Sequence, residues 1–161
     1  MRARLLGLAG AGFALLADQT TKHVVLANVD ALWPPVPLIP GLNLVFVRNT
    51  GVSFGLLETL PWWTLAGLAG AIVCALFVWL WRGTSALSSV ALGLMIGGAS
   101  GNTLDRLRFE GVTDFIDVYA GPYHWPAFNI ADVAVVSGAA LMLLDSVIRP
   151  VLQAENPSTN S

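Results

Sequence analysis

Charge is scarce in this sequence, and cysteine is nearly absent. Asp, Glu, Lys and Arg together make up 11% of the 161 residues, ten acids against eight bases, for a formal net charge of -2. So little charge cannot hydrate the surface of a water-soluble domain of this size. The basic residues form no cluster able to neutralise a row of phosphates, so no nucleic-acid partner is expected. The single cysteine, Cys74, excludes an internal disulfide and reads as a small core or lipid-facing residue within an apolar run. His23 and His124 stand alone, without ligand partners at metal spacing, so no metal and no cofactor is expected. No Ser, His and Asp set converges that would serve a serine hydrolase. Internal repeats are missing too, and the polar end of the chain, residues 149–161 with the run QAENPSTNS, reads as a disordered tail.

What is abundant is apolar. Hydrophobic residues make up 55% of the chain, and the mean hydropathy is +0.70, which indicates an integral membrane protein. A hydrocarbon core about 30 Å thick requires about 20 apolar residues per helix. Four windows meet that requirement: residues 5–27, 62–81, 86–104 and 126–148. Trp62, Trp63, Trp79 and Trp81 bracket the second, as indoles do at the two membrane interfaces. Gly93, Gly97 and Gly101 recur at four-residue spacing in the third, a stripe that lets a neighbouring helix approach backbone to backbone. The first window could instead be a cleavable signal peptide, but LLADQ is a poor cleavage site and the apolar character resumes at Val24.

The expected fold is therefore a single all-α membrane domain over residues 1–161, a four-transmembrane-helix bundle. Two outer loops decorate it. The first places β-prone runs on either side of Asn49, Thr50 and Gly51, which predicts a small β-hairpin. The second, residues 105–125, reads as a short amphipathic segment at the interface. Arginine density sets the orientation: residues 1–4, 82–85 and 149–161 hold four Arg in 21 residues, whereas 28–61 and 105–125 hold three in 55. Both termini are then cytoplasmic.

Ionisable groups inside such spans cost a few kcal/mol unless paired or hydrated, so each requires a partner. Asp18 precedes Lys22 by four residues, the favoured order for an intrahelical ion pair, and a plain pair is one reading; a polar cavity is the other. Asn102 and Arg106 share a helix face where the glycine stripe ends, and are expected to face the bundle. Asp105 and Arg108 are sufficiently explained as a helix end meeting water. Asn129 could cap the fourth helix with Asp132 at its third position. A cap makes no demand for a second carboxylate nearby, yet VTDF supplies one at Asp114. Two carboxylates at one depth in apolar surroundings suit an aspartic hydrolase, in which one acid is ionised and the other protonated. A proton-coupled transporter or channel using Asp18, Asp114 and Asp132 is the rival reading, and a non-enzymatic scaffold a second.

Five pieces, DQTTK, RNTGVSFG, GGASGNTLDR, VTDF and FNIAD, occur in this order between Asp18 and Asp132. With them the chain resembles the lipoprotein signal peptidases, the bacterial aspartic proteases also called signal peptidase II. The resemblance implies that Asp114 and Asp132 are the catalytic pair, and that Asp18, Asn49, Gly51, Asn102, Arg106 and Asn129 surround the substrate or support the pair. It implies an inner-membrane endopeptidase with its site near the outer face. Its substrate would be a prolipoprotein cut on the amino side of a diacylglyceryl-modified cysteine. Membrane lipid is the other expected partner, and no obligate protein partner is implied.

Overall fold

A computed structural model describes residues 1–51 and 61–155, with side chains as far as residue 148. Four long helices carry the chain: α1 (Arg2–Ala27), α2 (Trp62–Arg82), α3 (Ala86–Phe109) and α4 (Ile130–Glu155). Four strands accompany them: β1 (Val36–Ile39), β2 (Leu42–Asn49), β3 (Val112–Ala120) and β4 (Tyr123–His124). The strands form one antiparallel sheet in the order β1-β2-β3-β4. Because β1 follows α1, β3 follows α3 and β4 precedes α4, the sheet lies where α1 and α3 end and α4 begins.

α3 is the central helix, packed on the other three. Its glycines make this possible. A Cβ on Gly93 would run into the carbonyl oxygen of Gly7, one on Gly97 into that of Ala11, and one on Gly101 into the carboxylate of Asp18. All three are α1 residues, so the stripe seats α1 along its length. On another face a Cβ on Gly98 would strike the carbonyl oxygen of Ala131 in α4. Such contacts exchange side-chain volume for close backbone packing. Leu76, Leu80, Leu92 and Ile96 form the apolar cluster between α2 and α3.

The exterior of the helices is as apolar as their contacts. Phe13 is 72% exposed, and Leu16 and Leu143 are each 69% exposed. A surface of this kind suits lipid rather than water. Among the described residues, Trp62–Arg82 and Ile130–Ile148 are long and apolar enough to cross a membrane, with mean hydropathies of 2.1 and 1.8. α1 and α3 carry the buried polar groups and are not among these two.

Local chemistry explains the element ends. Ser85 caps α3, its hydroxyl accepting the Ser88 amide at 3.0 Å. α3 runs five residues beyond the expected limit at Leu104, and closes at Glu110 in the left-handed region (φ 59°), whose amide bonds the Arg106 carbonyl at 3.0 Å. α4 begins at Ile130 rather than Pro126, because Phe128 is engaged in an antiparallel bridge with Ile116. At its other end α4 continues to Glu155, inside the segment expected to be disordered; residues 156–161 lie outside the described residues.

The loops need one correction. The first loop holds a hairpin of β1 and β2 that turns at Pro40 and Gly41, where Gly41 has a φ of 90°; the hairpin expected about Asn49 to Gly51 depends on residues outside the described ones. β2, the first of the two predicted runs, pairs with β1 on one side and β3 on the other; the second run, after Gly51, lies outside the described residues. The second loop is no amphipathic segment. Its first residues complete α3, and Val112–Ala120 is a strand whose residues 112–115 are buried in succession. The β-prone string Val, Thr, Phe, Ile, Val, Tyr fits the pleat, and β2 supplies the ladder it completes.

Gly97→Leu should therefore disrupt the α1–α3 contact, since overpacking a close contact costs about 1–3 kcal/mol or more. Gly67→Leu, on α2 with nothing within 4 Å of its added Cβ, should be tolerated. Thermal unfolding in detergent should show a lowered midpoint for the first and an unchanged one for the second.

Candidate active site

Four polar positions converge at the start of α4. Asn129 and Asp132 form a reciprocal capping box: the Asp132 amide donates to Asn129 Oδ1 at 3.0 Å, and the Asn129 amide donates to Asp132 Oδ2 at 3.1 Å. The cap reading is thus correct as local structure. It does not exhaust either residue. The side-chain amide of Asn129 donates to Asp114 Oδ1 at 2.6 Å and to Asn102 Oδ1 at 3.2 Å, and the Asn102 amide donates to Asp132 Oδ1 at 2.8 Å. Asp114 and Asp132 are consequently joined through two asparagines.

Asp114 reaches this point because β3 is pinned on both flanks. The Thr113 amide donates to Asp105 Oδ2 of α3 at 2.9 Å. Phe115 and Ile116 donate to the Phe128 carbonyl at 3.0 and 2.9 Å, and Phe128 donates back to Ile116 at 3.1 Å. Across the ladder Val47 is paired with Asp114, and Asn49 Nδ2 donates to Asp114 Oδ2 at 2.9 Å. Asn49 Oδ1 accepts the Gly51 amide at 3.1 Å, and the Gly51 carbonyl accepts from Arg106 Nη2 at 3.1 Å. Arg106 also approaches the Asn102 carbonyl at 3.4 Å, while its buried Nε has no partner among the described residues.

Asn49, Asn102, Arg106, Asp114 and Asp132 line one cavity of about 700 Å³, closed by apolar groups that include Ala69, Phe128, Val133 and Val136. Asp114 is 2% exposed. Burial pushes its carboxyl up to about 6, and the negative charge of Asp132 adds to the rise, against the opposing hydrogen bonds of Asn49 and Asn129. A carboxyl in that range can hold a proton in mildly acidic solution.

Behind the cavity wall lies a second cluster. Asp18 is fully buried, with Oδ2 3.0 Å from Lys22 Nζ and Oδ1 accepting the Ala131 amide at 3.0 Å. It thus satisfies a free amide of α4 as well as pairing within α1, and a plain ion pair is too small a description. Lys22 Nζ further lies 3.3 Å from Asp105 Oδ2 and donates to Asn102 Oδ1 at 2.8 Å. Gln19 donates to Asp18 Oδ2 at 3.1 Å and Asp105 Oδ1 at 3.2 Å.

Asp105 is 1% exposed, so its expected place at a helix end in water is wrong. Spacing held the signal: Asp105 follows Asn102 by three residues and so shares its face. Arg108 binds Gln19 Oε1 at 3.2 Å in an exposed setting. His124 is not alone either, since its Nδ1 lies 2.8 Å from Asp117 Oδ1, an ion-pair geometry far along the sheet that sequence spacing did not suggest.

Comparison with known proteins identifies the family. Residues 11–148 match the family model of signal peptidase (SPase) II. A lipoprotein signal peptidase of Methylobacterium sp. (strain 4-46) is 42% identical over 152 residues, covering 91% of this chain and 92% of the relative. That of Photorhabdus laumondii subsp. laumondii is 43% identical over 141 residues, covering 84% of each. A solved bacterial membrane enzyme, determined by the in meso method at 2.3 Å, superposes with a TM-score of 0.74 at 27% identity, covering 96% of this chain and 91% of that one. The chain belongs to the signal peptidase II family, the lipoprotein signal peptidases.

Proposed function

We propose that this protein is a membrane aspartic endopeptidase that cuts the signal peptide from prolipoproteins on the amino side of a diacylglyceryl-modified cysteine, with Asp114 and Asp132 as its catalytic pair. One observation carries the assignment: the two carboxylates line one largely apolar cavity and are tied together by Asn102 and Asn129. A proton relay across a bilayer would need acids at successive depths, whereas Asp18, Asp105, Asp114 and Asp132 gather at one end of the helices.

The chemistry follows from the split between the two acids. Asp132 accepts hydrogen bonds on both oxygens and sits in the first turn of α4, a geometry suited to the proton acceptor of the pair. Asp114 holds the proton. Asp132 removes a proton from water as the water oxygen attacks the scissile carbonyl carbon, and Asp114 gives its proton to the carbonyl oxygen. The tetrahedral intermediate then collapses: the C–N bond breaks, the amine takes the proton held on Asp132, and the hydroxyl proton returns to Asp114. The pair titrates as a unit.

All four helices cross the bilayer in this reading, with both termini cytoplasmic and the sheet on the outer side. A signal helix entering beside α2 and α4 would then bring its scissile bond and lipidated cysteine to the depth of Asp132. The apolar cavity wall contributed by Ala69, Val133 and Val136 supports that path.

Asp114→Asn and Asp132→Asn should each remove nearly all turnover of a lipid-modified precursor, and the double variant should be little worse, because residues acting as a unit are non-additive. A single variant keeping more than about a tenth of the rate, a loss under about 1.4 kcal/mol, would exclude that residue from catalysis.

Cutting should also persist in a strong chelator, and abolition by chelation would overturn the aspartic mechanism.

The pH dependence has a defined sign. The active form has Asp114 protonated, so kcat/KM, which reports the free enzyme, should decline as pH rises through about 6. Asn49 stabilises the ionised form of Asp114, so Asn49→Ala should raise its pKa and move this alkaline limb upward. A downward shift would assign the limb to another group.

A further inference from the structure

Lys22 is 2% exposed and lies behind the cavity wall. An ammonium has three N–H donors and no acceptor. Lys22 has three neighbours for them: Asp18 Oδ2 at 3.0 Å, Asp105 Oδ2 at 3.3 Å and Asn102 Oδ1 at 2.8 Å. Charge neutralisation within α1 would require only the first.

The contact to Asn102 fixes a direction. A side-chain amide can be turned over with little change in shape, so its orientation is set by what faces it. Since Lys22 can only donate, the Asn102 atom facing it must be oxygen, and the NH2 group is then presented to Asp132 Oδ1 at 2.8 Å. The second donor to that oxygen, Asn129 Nδ2 at 3.2 Å, acts in the same sense. With the amide reversed, Asn102 would oppose its NH2 to the ammonium and its oxygen to Asp132, an arrangement that suits only protonated Asp132.

We propose that Lys22 is a positioning residue for the hydrolysis: it locks the Asn102 amide so that Asp132 is kept as the proton acceptor of the pair. The inference rests on the catalytic reading of Asp114 and Asp132. The charged groups around this path are Asp18 and Lys22 on α1, Asp105 and Arg106 on α3, Asp114 on β3 and Asp132 itself on α4. Asp18 and Asp105 hold the ammonium in place, and the path from them to Asp132 runs through Lys22 and Asn102.

Removing Lys22 alone would leave two buried carboxylates unneutralised, so the test is made in an Asp105→Asn background, with turnover normalised to folded protein. Relative to Asp105→Asn alone, adding Lys22→Met should lower kcat by about tenfold or more, equivalent to about 1.4 kcal/mol, with KM little changed, and should move the acid limb of the kcat profile to higher pH. Adding Lys22→Gln, whose amide can still donate to Asn102 Oδ1, should keep kcat within about threefold and leave the acid limb in place. A Lys22→Met variant matching Asp105→Asn in rate and profile would overturn the proposal, as would equal losses for Met and Gln without a limb shift. If the methionine variant does not fold, the glutamine variant decides: retained rate and profile support the orientation role, and a tenfold loss refutes it. Asp132→Asn, assayed in parallel, separates the two layers. Retained turnover there would sink the catalytic reading, whatever Lys22 does.

Discussion

An ammonium buried among carboxylates is costly to desolvate, by several kcal/mol per ion, and remains only where geometry supplies a partner for each of its protons. The meeting of α1, α3 and α4 is organised around that requirement. Lys22 of α1 draws Asp105 and Asn102 of α3 to itself, and Asp18 reaches across to the Ala131 amide of α4. Asp105 in turn bonds the Thr113 amide and so anchors β3 one residue from Asp114. Each of these bonds satisfies a buried group that would otherwise lack water, and together they hold α1, α3, α4 and β3 in register around the cavity.

Close packing makes the network possible. Gly101 leaves room for the Asp18 carboxylate, and Gly98 lets the first turn of α4 lie against α3. Side chains at either position would separate the helices by more than a hydrogen bond can span. The glycine stripe and the polar cluster are therefore one construction: the stripe sets the interhelical distance, and the polar groups use it.

The capping box at Asn129 and Asp132 illustrates how a local motif can carry long-range contacts without ceasing to be local. Two of its bonds terminate α4 properly. The lone pairs and N–H groups left over face Asp114 and Asn102. A carboxylate held in this way has few conformations to choose from, which is what a proton acceptor in a reaction needs. Capping leaves the residue free for further contacts, because an asparagine has more hydrogen-bonding capacity than a cap consumes.

Sequence alone determined the helices to within a few residues over most of their length, since an apolar run of about 20 residues between aromatic or polar ends has few alternatives. It also singled out polar residues that the fold gathers around one cavity, because a carboxylate or an arginine in such surroundings has to be accounted for. It misjudged Asp105 as a water-facing helix end and 105–125 as an amphipathic segment. Those errors share a cause. Strand pairing of β3 with β2, the bridge of Ile116 to Phe128 that delays α4, and the burial of Asp105 by Lys22 all depend on contacts between residues far apart in the chain. Local composition registers none of them. What only the tertiary structure decided is which polar atoms face one another, because hydrogen bonding is directional and short-ranged, and no periodicity in the chain encodes the distance between Asn102 and Asp132.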